Sequence, residues 1–308
     1  MHNKIRIALV GARGYVGKEL IELLQNHPKM ELIAAFSRQL SGKPVLADEP
    51  LRYQDSTPEN VSATEADAYI LALPNGFCEQ YASLLVATHP QAVIIDLSAD
   101  KRFDKNWQYS IPELNHHIEL QLISNPGCYA TAMQLAIAPL LSLIDGEVHC
   151  FGVSGYSGAG TAPSEKNDID RLQDNLIPYQ LTAHLHEKEV SHALQHTIRF
   201  SPHVASFFRG ISMTIQTKLK QVQSEEELLK LFSHFYADSS LVKIKDSVPY
   251  VVDNAKKHHA VIGGFSVSDK EIALNVTLDN LLKGAATQAL QNLNIAFNLD
   301  STTGIDHE

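Results

Sequence analysis

No run of eighteen or more apolar residues occurs in the 308-residue chain, so no segment reads as a membrane-spanning helix. A basic block is missing as well. Lys and Arg number 25 against 35 Asp and Glu, a net charge of −10, which argues against nucleic acid or an anionic membrane as a partner. Only three cysteines are present, Cys78, Cys128 and Cys150. Odd in number and widely spaced, they form neither a disulfide framework nor a CxxC zinc pair. Residues 1–7 lead straight into a strand pattern, without the apolar stretch and small-residue cleavage site of a signal peptide. Together these absences predict a reducing, cytoplasmic setting and no metal site.

What is present is alternation. Ile5–Val10 is a short apolar run of the kind buried in parallel sheets, followed by a glycine-containing turn and helical spacing over Lys18–Leu24. Further strand-like runs fall at Glu31–Phe36, Ala68–Leu73 and Ala92–Leu97, with a helix-like stretch over Gly76–Thr88. Strand and helix in alternation predict an α/β, doubly wound parallel sheet. After residue 150 the pattern changes. Phe151–Ser154, Ile211–Thr217, Val261–Val267 and Glu271–Leu278 read as strands, and Ser247–Val252 as an edge strand because of Pro249. Few helices separate them, so this half is expected to hold a mixed or antiparallel sheet. Glu225–Tyr236 reads as an amphipathic helix, and Leu281–Phe297 as a long one capped by Asp279 or Asn280. Residues 300–308 read as a polar, mobile tail.

Gly11, Gly14 and Gly17 stand between the first strand and the first helix, with Arg13, Tyr15 and Val16 among them. Glycines in that context allow a tight turn and seat a dinucleotide pyrophosphate on the helix N-terminus. A plain strand–helix turn is the other reading. NAD enzymes place an acidic residue after the second strand. Here Ser37 and Arg38 follow it, a hydroxyl and a guanidinium suited to a 2′-phosphate, which favours NADP(H); a solvated surface arginine is the other reading of Arg38.

Cys128 follows the turn Pro126-Gly127 and opens a stretch of good helix formers. A thiol at a helix N-terminus is acidified from its usual pKa of about 8.5. Nucleophile and buried small hydrophobe both remain open for it. Arg102, beyond the Ala92–Leu97 strand, is a candidate clamp for a substrate carboxylate or phosphate, or a solvated arginine. Asp96 and Asp100 read as pins for that loop. Ser154 and Gly155 belong to the glycine-rich run 152–161, a phosphate or amide cradle or a flexible hairpin. His184 and His186 would share a face in an extended segment; no further ligand at metal-site spacing stands nearby, and the pair reads either as a proton-transfer imidazole with its neighbour or as a surface pair. His258-His259 reads as exposed.

These motifs together resemble the N-acetyl-γ-glutamyl-phosphate reductase family. The resemblance runs through Gly11–Gly17, Leu71–Gly76, Asp96–Phe103, Ile111–Leu114, Asn125–Thr131, Gly152–Gly160, His184 and His186, Pro202-His203, Phe208–Gly210 and Asp279–Ala285. It implies a Rossmann domain over residues 1–127, completed by residues 281–308. A catalytic and dimerisation domain with a mixed or antiparallel sheet, like that of semialdehyde dehydrogenases, follows over 128–280. It also implies NADPH-dependent reduction of an acyl phosphate through a thioester, with Cys128 as nucleophile and His186 as acid/base beside His184. Arg102, Ser154 and Gly155 would contact substrate, and Pro74 and Asn280 the cofactor. A homo-dimer or homo-tetramer is implied too, and Gly155–Asn167 is the expected lid. The chain departs from the family's His-Arg-His-x-Pro-Glu-Ile: residues 184–190 read His-Leu-His-Glu-Lys-Glu-Val, and Asn75 replaces a common His. A reductase of aspartyl or aminoadipyl type and a non-catalytic NADP-sensing regulator are the alternatives.

Overall fold

β1 (Ile5–Val10) is buried over its last four residues, as a central strand covered on both faces requires. The computed structural model describes residues 4–47 and 50–306. By its internal contacts the chain divides into two compact units. One runs to Pro126 and is rejoined by Ala285–Asp306; the other spans Gly127–Gly284.

In the first unit β1 is followed by α1 (Tyr15–Gln25), β2 (Met30–Phe36), β3 (Tyr53–Gln54), α2 (Pro58–Ser62), β4 (Ala68–Leu71), α3 (Cys78–Thr88), β5 (Val93–Asp96), β6 (Gln108–Tyr109) and β7 (Leu122–Ser124). Every pairing is parallel, in the order β3-β2-β1-β4-β5-β7-β6. The order reverses between β1 and β4, so the loops leaving their carboxyl ends flank the crevice where such sheets take ligands. Helix Thr287–Ala296 completes this unit against α1 and β5. Its amides are buried yet bonded: Asn292 donates to the Ser110 carbonyl and to Asn125 Oδ1, and Gln291 to Glu113.

The second unit holds α4 (Cys128–Ile137), β8 (Val148–Gly155), α5 (Ile169–Leu172), β9 (Leu176–Pro178), α6 (Leu185–Leu194), β10 (Ile198–Ala205), β11 (Ile211–Lys218), α7 (Glu225–Phe235), β12 (Val242–Ile244), α8 (Val251–Asn254), β13 (Ala260–Ser268) and β14 (Glu271–Leu278). Its sheet runs β12-β13-β14-β11-β8-β10-β9. It is mixed: β10 lies parallel to β8 and β12 to β13, and the other pairs are antiparallel. Helices α4, α6 and α7 cover one face. The strands alternate to match, as in β8, where Val148 and Cys150 are buried and His149 and Phe151 exposed.

Several expectations need correction. Ser247–Val252 is not a strand. Pro249 cannot donate to a ladder, and the segment turns into the short α8. β10 had no counterpart in the strand pattern. The final helix is interrupted: Leu282–Ala286 forms one π-turn, closed by the Gly284 amide on the Asp279 carbonyl, before α-geometry resumes at Thr287. Asp279, rather than Asn280, caps it by accepting from the Leu281 and Leu282 amides. Residues 300–306 are tied down. Asn294 donates to the Ser301 and Thr303 carbonyls, and Ile305 is buried. The outermost residues of the expected first domain, 1–3 and 307–308, lie outside the described residues, as does the last part of the expected tail.

Gly11 shows why the first turn demands glycine. Its φ is +81°, and a Cβ there would lie 2.0 Å from the Ala72 carbonyl oxygen. Gly11→Ala is expected to lower stability by about 2 kcal/mol or more, combining a disfavoured φ with a backbone clash. Urea midpoints of variant and parent check this.

Candidate active site

The dinucleotide candidates of the first unit follow the carboxyl ends of its strands: Gly11–Gly17 after β1, Ser37 and Arg38 after β2, and Pro74 after β4. Gly14 is the N-cap of α1 in an extended conformation. No side chain caps this helix, and no acidic residue occupies its first turn. A Cβ on Gly17 would meet the Gly11 carbonyl at 2.6 Å, so glycine lets α1 start hard against the loop. This cradle fits a pyrophosphate. Ser37 is buried and its Oγ accepts from the Leu40 amide, which folds a tight turn. Arg38 stands exposed on that turn and forms no ion pair among the described residues. An exposed guanidinium beside a hydroxyl fits a 2′-phosphate.

The loop after β5 is pinned from within. Fully buried Asp96 accepts from the Ser98 amide (2.9 Å) and hydroxyl (2.8 Å). Asp100 reaches back to the Gly76 and Cys78 amides at the start of α3, and Asn75 Oδ1 accepts from the Ala99 amide. Asn75, where the family commonly has His, thus ties the loops after β4 and β5 together. Arg102 leaves this pinned loop, mostly buried, with Nη2 3.4 Å from the Leu97 carbonyl. Burial, with the neighbouring Asp96 second, pushes the Cys78 thiol up, so Cys78 is not a nucleophile at neutral pH.

In the second unit Cys128 is the first residue of α4, and it is partly exposed. The Gly127 amide donates to Glu189 Oε1 at 2.9 Å. Gly284 is the other requirement. A Cβ there would sit 2.8 Å from Cys128 Cβ, so only glycine lets the π-turn pass this residue. Cys150 is buried and its thiol pushed up by desolvation, which leaves Cys128 as the partly exposed cysteine of the three.

His184 and His186 do not sit on a strand. His184 is the N-cap of α6, and its Nδ1 accepts from the His186 amide at 3.1 Å. That bond requires an unprotonated Nδ1 and puts the ring proton on Nε2. Burial, with the Lys166 ammonium second, lowers His184 to about 4, so its imidazole is neutral at pH 7. His186 follows in the first turn, its ring 5.8 Å from the Tyr129 ring and 5.0 Å from that of His184. Tyr129 donates its hydroxyl to the His203 carbonyl. Asn280 is bonded on both sides, accepting from the Gly210 amide and donating to Ser157 Oγ. Gly158 lies between Asn280 and Ser154: a Cβ on it would be 3.0 Å from Ser154 Oγ and 3.7 Å from Asn280 Nδ2. Gly155 packs against the Phe208 backbone with no room for a side chain. Run 152–161 is therefore a strand end entering a 3-10 turn at Tyr156–Ala159 rather than a hairpin.

The unit thus gathers Cys128, His184, His186, Ser154, Gly155 and Asn280. It adds three residues that sequence reasoning passed over: Glu189, Tyr179 and Lys166. Glu189 was signalled by its spacing, three residues beyond His186 on one helix. Tyr179 and Lys166 lie in a stretch without periodicity and left no such signal. His259 also departs from expectation. It is buried, not exposed, and desolvation, with Lys243 and Lys257 adding to it, lowers it to about 4. Among the described residues no group of three or more His, Cys, Asp or Glu could hold a metal ion, and no helix is long and apolar enough to cross a membrane.

A parallel nucleotide-type sheet, a mixed sheet and a cysteine opening a helix define the class. The description "Semialdehyde dehydrogenase, NAD binding domain" matches residues 6–121, and "Semialdehyde dehydrogenase, dimerisation domain" matches residues 128–280. The fold is shared with aspartate semialdehyde dehydrogenase II of Vibrio cholerae at TM-score 0.80 and 18% identity, over 96% of this chain and 99% of that one. An aspartate semialdehyde dehydrogenase of Candida albicans, solved with NADP, matches at TM-score 0.74 and 16% identity, over 96% of this chain and 98% of that one. Sequence comparison is more specific. N-acetyl-gamma-glutamyl-phosphate reductase of Stenotrophomonas maltophilia is 48% identical, covering 98% of both chains. The protein of the same name from Xylella fastidiosa strain M23 is 50% identical over 98% of this chain and 95% of that one. Protein arg11, mitochondrial, of Schizosaccharomyces pombe is 48% identical over 97% of this chain, which spans 35% of its length. The chain belongs to the N-acetyl-γ-glutamyl-phosphate reductase family.

A histidine buried at a lowered pKa makes a definite stability statement. Folded His184 and His259 take up protons near pH 4, whereas unfolded histidines do so near 6.5. Below about 6.5 the unfolded chain therefore binds more protons, and stability falls as the pH drops from about 6.5 towards 4. The urea midpoint is expected to be lower at pH 5 than at pH 7, and His259→Gln to shrink the difference.

Proposed function

We propose that the chain reduces N-acetyl-γ-glutamyl phosphate to N-acetylglutamate 5-semialdehyde, releasing phosphate and consuming NADPH. The observation that carries the reading is Cys128 at the first position of α4, held by Gly284 on one side, with the His186-bearing helix bonded to its cap through Glu189. Family membership and the names of the relatives support the substrate.

Cys128 Sγ, favoured as a thiolate by the helix dipole, attacks the acyl carbon. The carbon–oxygen bond to phosphate breaks, and phosphate leaves with the electron pair. His186 takes the thiol proton. The product of this step is a thioester on Cys128, which accepts hydride more readily than a carboxylate would. Gly11–Gly17, Ser37, Arg38 and Pro74 would hold the NADP(H), joined by Asn280, and the bound cofactor supplies the hydride. His186 stabilises the developing oxyanion by donating its proton. When the carbonyl re-forms, the hydroxyl proton returns to His186, the carbon–sulfur bond breaks and Cys128 is regenerated as the thiolate. Neutral His184, engaged at Nδ1, holds the start of α6 so that His186 keeps its place. Arg102, Ser154 and Gly155 contribute substrate contacts.

We also infer a homo-oligomer, a dimer or a dimer of dimers, in the cytoplasm. The sheet face not covered by helices leaves Phe151 exposed, its ring 4.5 Å from that of His203, and this suits burial against a second copy.

Two measurements test the reading. Cys128→Ser is expected to lose turnover by roughly a thousandfold or more while still binding NADPH; retention of most activity would overturn the thioester route. Arg38→Leu is expected to lower kcat/KM for NADPH about tenfold and leave that for NADH nearly unchanged, since only the former carries the 2′-phosphate.

A further inference from the structure

Residues 160–180 bring one cation to the Cys128 site. Lys166 is half-buried although Glu165 and Asp168 on either side are exposed. Its Nζ lies 4.6 Å from the centroid of the Tyr179 ring. Tyr179 is fixed by its own amide, which donates to the Pro202 carbonyl, and its ring is 5.6 Å from that of His184. His184 in turn faces the ring of Tyr129, the residue after Cys128, at 6.5 Å. Lys166, Tyr179, His184 and Tyr129 therefore form a continuous chain of ring contacts that ends on the neighbour of Cys128.

The loop is built to present this lysine. Asn167 Nδ2 donates to the Gly160 and Ala162 carbonyls, and its Oδ1 accepts from the Ser164 amide. The segment is thus folded on itself around the residue next to Lys166. Both flanking acids are engaged elsewhere: Arg171 reaches Glu165 at 2.8 Å and Asp168 at 3.8 Å. Lys166 forms no ion pair among the described residues. A partly desolvated ammonium over an aromatic face gains only about 0.5–1 kcal/mol from the ring. Its remaining donors and its uncompensated charge suit an anion delivered by the ligand.

We propose that Lys166 is an anion anchor of the Cys128 site. Its ammonium, held over Tyr179, binds an oxyanion of the substrate, either carboxylate or phosphate, as the carbonyl carbon is brought to Cys128 Sγ. Which anion it binds rests on the function proposed above; that it attracts anions to Cys128 does not.

The first arm of the test therefore needs no turnover. Cys128 of the full chain is alkylated with iodoacetate, an anion, and with iodoacetamide, its neutral analogue, and adducts on the Cys128 peptide are followed by mass spectrometry. Cys78 and Cys150 are buried and do not compete. The ratio of the two rates cancels the reactivity of the thiol itself. It is expected to fall about threefold to tenfold in Lys166→Gln, the effect of one unit charge several ångströms away in a half-solvated site, and to recover in Lys166→Arg. An unchanged ratio in Lys166→Gln overturns the proposal. The second arm runs the reaction in reverse, with N-acetylglutamate semialdehyde, inorganic phosphate and NADP. A raised KM for phosphate alone assigns Lys166 to the phosphate, and a raised KM for the semialdehyde alone assigns it to the carboxylate. If neither KM moves, the anchor is refuted. If the parent chain turns nothing over, the proposed function falls and the alkylation ratio still decides on Lys166.

Discussion

Glu189 places a buried carboxylate oxygen 2.9 Å from the amide that begins α4, and the rest of the reactive end depends on that contact. An ionised carboxylate removed from water costs several kcal/mol unless donors meet it. A helix N-terminus supplies both an unpaired amide and the favourable end of the dipole. Because Glu189 lies one turn beyond His186, the bond that stabilises the carboxylate also sets where His186 stands relative to Cys128. Gly127 caps α4 without a side chain of its own and is met by Glu189 instead, whereas Gly284 leaves room for Cys128 itself.

The two units divide the chemistry by what their sheets are good for. A parallel sheet buried on both faces ends in loops at one edge, and the dinucleotide features all sit there, with Gly11 in the left-handed region that glycine adopts cheaply. Helices α4, α6 and α7 cover one face of the mixed sheet, and the starts of α4 and α6, cap included, carry the thiol and the imidazoles. Helices fix side chains more tightly than loops do, which suits a nucleophile that must meet a carbonyl carbon with little error.

Legibility followed burial. β1, β2, β4 and β5 were readable because strands covered on both faces are apolar throughout, and β14 because one covered face gives a clean alternation. β10 was not: its residues alternate between a buried and a more exposed face, but Pro202 in mid-run argues against a strand, and its pairing with β8 is made across residues far apart in sequence. α6 was hidden for a related reason. Its hydrophobic face is short, and its start is set by an unusual cap, the Nδ1 of His184. Among site residues, Cys128 and the glycine loop could be found because a turn followed by a helix pattern locates a helix start. Glu189 shares a helical face with His186, but its partner, the Gly127 amide, lies 62 positions away, and Tyr179 and Lys166 stand in a stretch without any period. The π-turn at Leu282–Ala286 could not be foreseen either, because it answers a steric demand from Cys128, more than 150 positions earlier.

The return of residues 285–306 to the first unit has a consequence for how the chain is made. Its amide-rich helix fills hydrogen-bonding positions on Ser110, Glu113 and Asn125, and Thr303 and Asn294 satisfy the ring of His27. During synthesis those groups emerge long before their partners. The first unit therefore waits, incompletely bonded, until the second has been translated, whereas the second is contiguous and can close as soon as it leaves the ribosome. The order of birth is thus the reverse of the order of completion, and the nucleotide-type half is the one exposed to chaperones and proteases in the interval.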